Sequence, residues 1–232
     1  MIFFRKEQYV TADELRDSAY EAHRTASAAE KRALIKIAVI DDQVFTPRAN
    51  LENLGYQIES LGDINSINRI QPFQIVLCDL QGVGTALDAR KQGAFLIREI
   101  KRNFPEKFVI AYTGGGLNAA LSREASLDAD HLLKKDADID DWVETLDRYI
   151  SNVLNPYLVW QRQRLALVER EVDTLSILKL ETAFVQSIKS KGPKHGSAFT
   201  TVVSELSGDA RAVMQGMIAS GLYALLTGGS GG

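Results

Sequence analysis

Five short apolar runs, four of them closing on a polar residue, limit what this chain can fold into. Leu34–Ile40 ends at Asp41-Asp42, Gln74–Cys78 at Asp79, Phe108–Tyr112 at Thr113-Gly-Gly-Gly116, and His131–Leu133 at Lys134-Lys135. A fifth run, Tyr56–Leu61, follows Gly55. Runs that are continuously apolar, rather than alternating, suit strands buried on both faces of a parallel sheet. Helical patterns lie between them. Thr46-Pro47 reads as an N-cap with proline at the first helical position, opening a helix to Leu54. Ala94–Asn103, the alanine-rich Asn118–Ser126 and Ile139–Leu154 read as three more. The pattern is five βα units over residues 34–154. It predicts an α/β fold, a doubly wound five-stranded parallel sheet with right-handed crossovers.

The flanks read as helical. Residues 1–33 form an N-terminal helical extension, in which Thr11-Ala-Asp-Glu14 is a capping-box pattern opening a helix from Ala12 to Ala33. Residues 155–191 open on Asn155-Pro156 and read as one long helix, roughly 50 Å if unbroken at about 1.5 Å per residue. Leu165, Val168, Val172 and Leu175 are spaced as a short coiled-coil seam. A dimerising coiled coil and a helix folding back on the C-terminal helices are both open. Residues 192–232 form a helical tail with helices over Ala198–Leu206 and Ala210–Leu226, ending in a flexible Gly-Gly-Ser-Gly-Gly. The apolar stretch Ala212–Leu226 contains Gln215 and is short for a transmembrane helix. A packed helix or an interaction surface is favoured there over membrane contact.

Composition excludes several functions. Of 232 residues, 45% are apolar and 25% charged, which rules out a mostly disordered chain. The formal net charge of −3 gives no basic excess, so no nucleic-acid partner is evident. A lone cysteine, Cys78, excludes a disulfide framework and reads as core packing. His23, His131 and His195 have no metal-ligand spacing and are treated as non-catalytic. Trp142 and Trp160 read as packing residues. No secretory signal is evident, so a cytoplasmic protein is expected.

Ligands of doubly wound sheets bind beyond the carboxyl ends of the strands. Here those ends carry Asp41, Asp42, Asp79, Thr113 and Lys135. Three converging carboxylates repel one another unless a cation joins them. Mg²⁺ suits such oxygen ligands, and a lysine and a hydroxyl beside it suit an anion. The chemistry implied is phosphoryl transfer, where positioning and charge neutralisation dominate.

These motifs, in order and at strand ends, resemble the receiver domain of bacterial response regulators, the CheY-like family, over residues 34–154. They are Ile37-Ala-Val-Ile-Asp-Asp42, Ile75-Val-Leu-Cys-Asp79, Val109-Ile-Ala-Tyr-Thr113 and Asp130-His-Leu-Leu-Lys-Lys-Asp136. The resemblance implies a flavodoxin/CheY-like fold and a phosphoryl-accepting signalling protein, not an enzyme. Asp79 would accept a phosphoryl group from a histidine kinase or phosphotransfer protein. Asp42 would bind Mg²⁺ directly, Asp41 directly or through water, and the Gln81 backbone carbonyl would be a further ligand. Thr113 and Lys135 would engage the phosphoryl group. Lys135 is preferred to Lys134 by strand alternation and by the following Asp136. The Gly114 amide is a candidate phosphate donor. Output would be altered protein contacts, with a homodimer through the C-terminal helices expected.

Three departures set the chain apart from that pattern. The loop Leu80–Gly93 is longer than the family's and lacks its Met-Pro, the first helix and second βα unit are short, and Leu132 stands where a switch aromatic is usual. They motivate an alternative, a phosphorylation-independent adaptor or oligomerisation module. A metal-dependent phosphohydrolase ranks lower, because Gln81 stands where such enzymes carry a second acid.

Overall fold

The computed structural model describes residues 9–16, 26–116, 119–190 and 193–228, with side chains left undescribed over 193–197. Much of the expected helix over 12–33 and the terminal glycine-rich segment lie outside the described residues.

Five strands form one parallel sheet: β1 (Lys36–Ile40), β2 (Gln57–Ser60), β3 (Ile75–Asp79), β4 (Phe108–Thr113) and β5 (His131–Lys134). Their order is β2-β1-β3-β4-β5, with every neighbouring pair parallel. This is the doubly wound order of flavodoxin-like sheets, with its switch point between β1 and β3. The strands begin and end close to where the apolar runs do. Alternation assigns their side chains to two cores. Ile37, Val39, Ile75, Leu77, Phe108, Ile110 and Tyr112 face one side. Ala38, Ile40, Val76, Cys78, Val109 and Ala111 face the other.

The helices that cover the sheet are α1 (Ala28–Leu34), α2 (Arg48–Asn53), α3 (Gln92–Asn103), α4 (Ala120–Ala125) and α5 (Ile139–Val153). The second side is filled by Leu96, Ile97 and Ile100 of α3 and Ala125 of α4. The first side is filled by Leu51 of α2 and by Trp142, Leu146, Ile150 and Val153 of α5. The 4-4-3 spacing of those α5 residues puts them on one stripe. Between β2 and β3 a single 3-10 turn, Ile67–Ile70, stands in place of a helix, which is the short second βα unit.

Two caps differ from expectation. Pro47, not Thr46, occupies the N-cap of α2, and Thr46 makes no capping bond. Phe45 is drawn into the core against Tyr112 and Trp142, so the chain turns tightly over 45–48 and the helix starts later. Thr11 likewise makes no cap bond, and Ala12–Leu15 is a 3-10 turn whose first amide donates to Glu181 at 2.8 Å. The capping box present is Ser27–Glu30, which opens α1.

The C-terminal region is α6 (Pro156–Glu169), α7 (Thr174–Ser190), α8 (Pro193–Glu205), α9 (Gly208–Ala219) and α10 (Leu222–Thr227). The long helix is therefore broken. Glu171 takes a left-handed φ of 57°, and Asp173 accepts from the Ser176 amide, a start signal inside the expected seam. The break lets α7 fold back, so Phe184 stacks on Trp160 at 5.2 Å between ring centroids. Of the seam, Leu165, Val168 and Leu175 are exposed, while Val172 packs on the core. The expected helix over 210–226 is also broken, at Gly221, whose φ is 75°. Its apolar residues Met214, Met217, Leu222 and Leu226 are buried within the protein. Among the described residues, no helix is long and apolar enough to cross a membrane.

These helices continue the first core and reach the edge of the sheet where strands begin. Arg162 of α6 donates to the Pro105 and Lys107 carbonyls at 2.8 and 2.7 Å and to Asp130 at 2.7 Å, with its guanidinium over the Phe108 ring. Gln74 donates to the Ser220 carbonyl at 2.7 Å. Asp130 also accepts from Lys101 and from the Val109 amide.

Arg162→Ala removes the donor shared by three acceptors at this edge and is expected to cost about 2–3 kcal/mol in urea unfolding. Burial pushes the Asp130 carboxyl up, but Lys101 and Arg162 outweigh it and hold the group below the usual carboxylate range. A depressed carboxylate stabilises fully above its unfolded value of about 4 and loses that contribution as pH falls through its folded value. Asp130→Asn is therefore expected to flatten the acid limb of the stability–pH profile measured by urea unfolding.

Candidate functional site

The site forms at the opposite edge, where β1, β3, β4 and β5 end. Parallel pairing aligns these ends: Ile40 lies opposite Cys78, Asp79 opposite Tyr112, and Thr113 opposite Lys134. One residue beyond each register lie Asp41 and Lys135, and the Lys135 amide closes onto the Thr113 carbonyl at 2.8 Å. Oxygens of Asp41, Asp42 and Asp79 lie within 4.8 Å of one another.

Lys135 bridges two of the three. Its Nζ is 2.8 Å from Asp79 Oδ2 and 3.0 Å from Asp41 Oδ2. Partial burial works against its charge, yet the hydrogen bonds to Asp79 and Asp41 outweigh that and raise its pKa above the usual lysine value. Lys134 points to solvent, as alternation requires.

Asp79 Oδ1 also accepts from the Gln81 amide at 3.2 Å, and Asp41 Oδ1 accepts from the Gln43 amide at 2.9 Å. Asp41 Oδ2 accepts from the Tyr112 hydroxyl at 2.7 Å. Asp42 is exposed and, among the described residues, has no hydrogen-bond or ion-pair partner. Thr113 is buried; its Oγ1 accepts from the Gly115 amide at 3.0 Å and donates to no described acceptor. The apolar Cys78, one residue before Asp79, is buried, and burial pushes its thiol pKa far up, which keeps it inert.

The three carboxylates and the Lys135 ammonium thus converge, and Thr113 ends the neighbouring strand β4. The donor set also fits a divalent ion. One ammonium among three carboxylates leaves two negative charges uncompensated, and the oxygen-only donors suit Mg²⁺. Asp42, with both oxygens uncommitted, is the carboxylate freest to ligate.

Sequence reasoning missed the loop's grip on the site. Gly82 has φ 81°, and a Cβ there would lie 2.5 Å from the Asp42 carboxylate. A Cβ at Gly93 would lie 2.0 Å from the Asp79 carbonyl oxygen. Gln92, just before it, sits at a strained φ of 47° while its side chain accepts from the Gly82 amide at 3.0 Å. Asp63 accepts from the Gly84 amide at 2.7 Å. The glycines within the long loop were the visible signal. Tyr112 was missed because it reads as the last residue of an apolar run.

Comparison with protein-family models gives no match, and comparison with curated proteins gives none. Solved structures similar to this chain are mostly response regulator receiver domains. A CheY-like receiver domain protein from Methanospirillum hungatei is 19% identical, with 50% of this chain and 93% of that one covered and a TM-score of 0.41. A receiver domain protein from Clostridium thermocellum is 25% identical over 50% of this chain and 94% of that one, at a TM-score of 0.40. A response regulator from Burkholderia pseudomallei, solved with a phosphorylated aspartic acid, a calcium ion and citrate, is 21% identical over 78% of this chain and 96% of that one, at 0.41. The class defined by this chain's own topology and pocket is a doubly wound α/β protein with an acidic site at its carboxyl edge.

Gly82→Ala combines a left-handed backbone with a methyl group on Asp42. It is expected to cost about 1–2 kcal/mol in thermal or urea unfolding. Calorimetry is expected to record weaker Mg²⁺ uptake as Asp42 is displaced.

Proposed function

We propose that this chain is a phosphoryl-accepting signalling protein, the response regulator of a two-component phosphorelay. Residues 34–154 are the receiving unit and residues 155–232 the responding one. The observation that carries the reading is the Lys135 bridge between Asp79 and Asp41 beside a partnerless Asp42.

Asp79 is the nucleophile. An oxygen of its carboxylate attacks phosphorus, the bond from phosphorus to the donor's imidazole nitrogen breaks, and the neutral imidazole leaves with a proton from solvent. Asp42, Asp79, the Gln81 carbonyl and Asp41 would hold Mg²⁺, Asp41 directly or through water, and the ion would supply charge neutralisation for the transferring group. Lys135 holds Asp79 through Oδ2 and the Gln81 amide holds Oδ1, so the carboxylate is oriented before the donor arrives. Thr113 has a hydroxyl proton to give to the new phosphoryl oxygens, and Lys135 exchanges its Asp41 contact for them. The histidine kinase or phosphotransfer protein docks at the strand-end edge.

Phosphorylation replaces the single charge of the Asp79 carboxylate with close to two negative charges on the phosphoryl oxygens. The loop over 80–91 feels them first, since it rests on Asp42 through Gly82. Output runs through altered contacts of the C-terminal helices. Leu165, Val168 and Leu175, at 60%, 49% and 51% exposed, support a homodimer through this region. The adaptor reading is favoured by Leu132, which packs on the second core and leaves no aromatic switch on β5.

Incubation with phosphoramidate and Mg²⁺ is expected to add one phosphoryl mass to the wild type and none to Asp79→Ala, read by intact-mass spectrometry. Equal addition to both would remove Asp79 from its role. Light scattering with beryllofluoride and Mg²⁺ is expected to show a rise in mass toward the dimer. An unchanged mass with altered intact mass would favour the adaptor reading.

A further inference from the structure

Among the described residues, Tyr112 is the one side chain at the acidic edge that also belongs to the aromatic core. Its hydroxyl donates to Asp41 Oδ2 at 2.7 Å. Its ring packs against Phe45 at 5.4 Å and meets Trp142 of α5 edge-on at 5.6 Å. Phe45 closes the triangle with an edge contact to Trp142 at 5.1 Å. All three rings are buried. A phenol so placed has few rotamers, and its hydroxyl is aimed at the carboxylate.

Asp41 is committed on every side. Oδ1 accepts from the Gln43 amide, Oδ2 from Tyr112, and Lys135 approaches both oxygens. A carboxylate offers about four lone-pair sites. Asp41 thus has little left for a direct bond to an ion, whereas Asp42 has both oxygens open. Because one Lys135 ammonium is shared between its two oxygens, Asp41 keeps one acceptor site, and a fixed carboxylate beside an open one is suited to hold a water on the ion.

We propose that Tyr112 is a positioning residue of the metal centre: its hydroxyl fixes Asp41 as an outer-sphere acceptor, and its ring carries the ion's arrival to Trp142 on α5. The inference rests on the metal reading above and assigns a residue that reading does not use. Losing an outer-sphere hydrogen bond of this kind typically weakens metal affinity by about 10–100-fold. The ring link follows from contact. An ion held at Asp42 would draw Asp41 through a water, Asp41 would draw the Tyr112 hydroxyl, and the tyrosyl ring would shift against the indole. Removal of the hydroxyl uncouples the two without emptying the core, because phenylalanine fills the same space against Phe45 and Trp142.

The test uses the full chain with Trp160→Phe, so that Trp142 is the only indole. Mg²⁺ is titrated into it by calorimetry and by following tryptophan emission. The parent is expected to bind Mg²⁺ with a saturable change in emission, and Asp42→Asn to lose both. Tyr112→Phe is expected to bind about tenfold more weakly, with most of the emission change gone and with a metal-free melting temperature close to the parent's. Unaltered Mg²⁺ affinity in Tyr112→Phe would overturn the positioning role while leaving the metal centre standing. Emission that stays flat in the parent while calorimetry records Mg²⁺ uptake would overturn the ring link, whatever the variant does. No uptake by the parent would overturn the metal centre and the proposal with it.

Discussion

Lys135 is the cation on which the acidic edge rests. Two carboxylates about 4 Å apart, in surroundings of effective dielectric near 20, repel by about 4 kcal/mol. Asp41 and Asp79 tolerate each other because one ammonium lies about 3 Å from both. The strand order makes this possible. β5 joins β4 at the far end of the sheet, and only a residue just past its last ladder position can reach back across Thr113 to β3 and β1. Lys134, one residue earlier, faces away. Lys135 does not finish the neutralisation, since Asp42 remains unpaired. The arrangement is stable enough to fold and still short of positive charge, which is the condition a cation-binding site must meet.

The other edge of the sheet is held by the same kind of interaction used for a different end. Asp130 sits just before β5 and is saturated by Lys101, Arg162 and the Val109 amide. Nothing is left open there, and the arginine belongs to the C-terminal helices. One short strand therefore has an incomplete ion cluster at its carboxyl end and a complete one at its amino end. The first suits exchange of ligands, the second suits anchorage. Arg162, the Gln74–Ser220 hydrogen bond and the continuous aromatic packing from Trp160 to Phe184 make the helical region part of the sheet's own core. A change at the carboxyl edge that moves α5 or β5 acts on a body the C-terminal helices are already packed against.

The strands were legible because parallel burial leaves a signature that no other element mimics well: β-branched runs with a polar residue where each run meets the edge. From those ends the five rim residues followed, and the structure brings the three carboxylates and Lys135 together with Thr113 at the end of the adjoining strand. What was not legible depended on partners distant in sequence. Thr46 has the side chain of a cap, yet the burial of Phe45 against Tyr112 and Trp142 outweighed local capping, which is worth about 1 kcal/mol. The long helix over 155–190 had continuous helical propensity. Its break was written only in Asp173, a good N-cap set inside an apolar repeat, and in the fit of Phe184 on Trp160, which spacing cannot reveal. Tyr112 carried no polar label, because a tyrosine ending an apolar run looks like any aromatic that packs.

The loop after β3 shows how closely backbone and site are tied. Left-handed φ values at Gly82, Gly84 and Gln92 fall within one connection, and two of its glycines lie where a methyl group would strike Asp42 or the Asp79 carbonyl. Gln92 is the informative member, since a non-glycine residue in that region costs about 1–3 kcal/mol and persists only where its surroundings enforce it. Here the enforcement is visible: the Gln92 side chain accepts from the Gly82 amide, and Gly93 behind it packs onto Asp79. The strain and the close approaches hold the loop down on the one carboxylate that has no partner. A group arriving at Asp42 must therefore meet the loop as well as the carboxylate. In this chain the loop after β3 touches the site directly, whereas Leu132 of β5 packs into the second core.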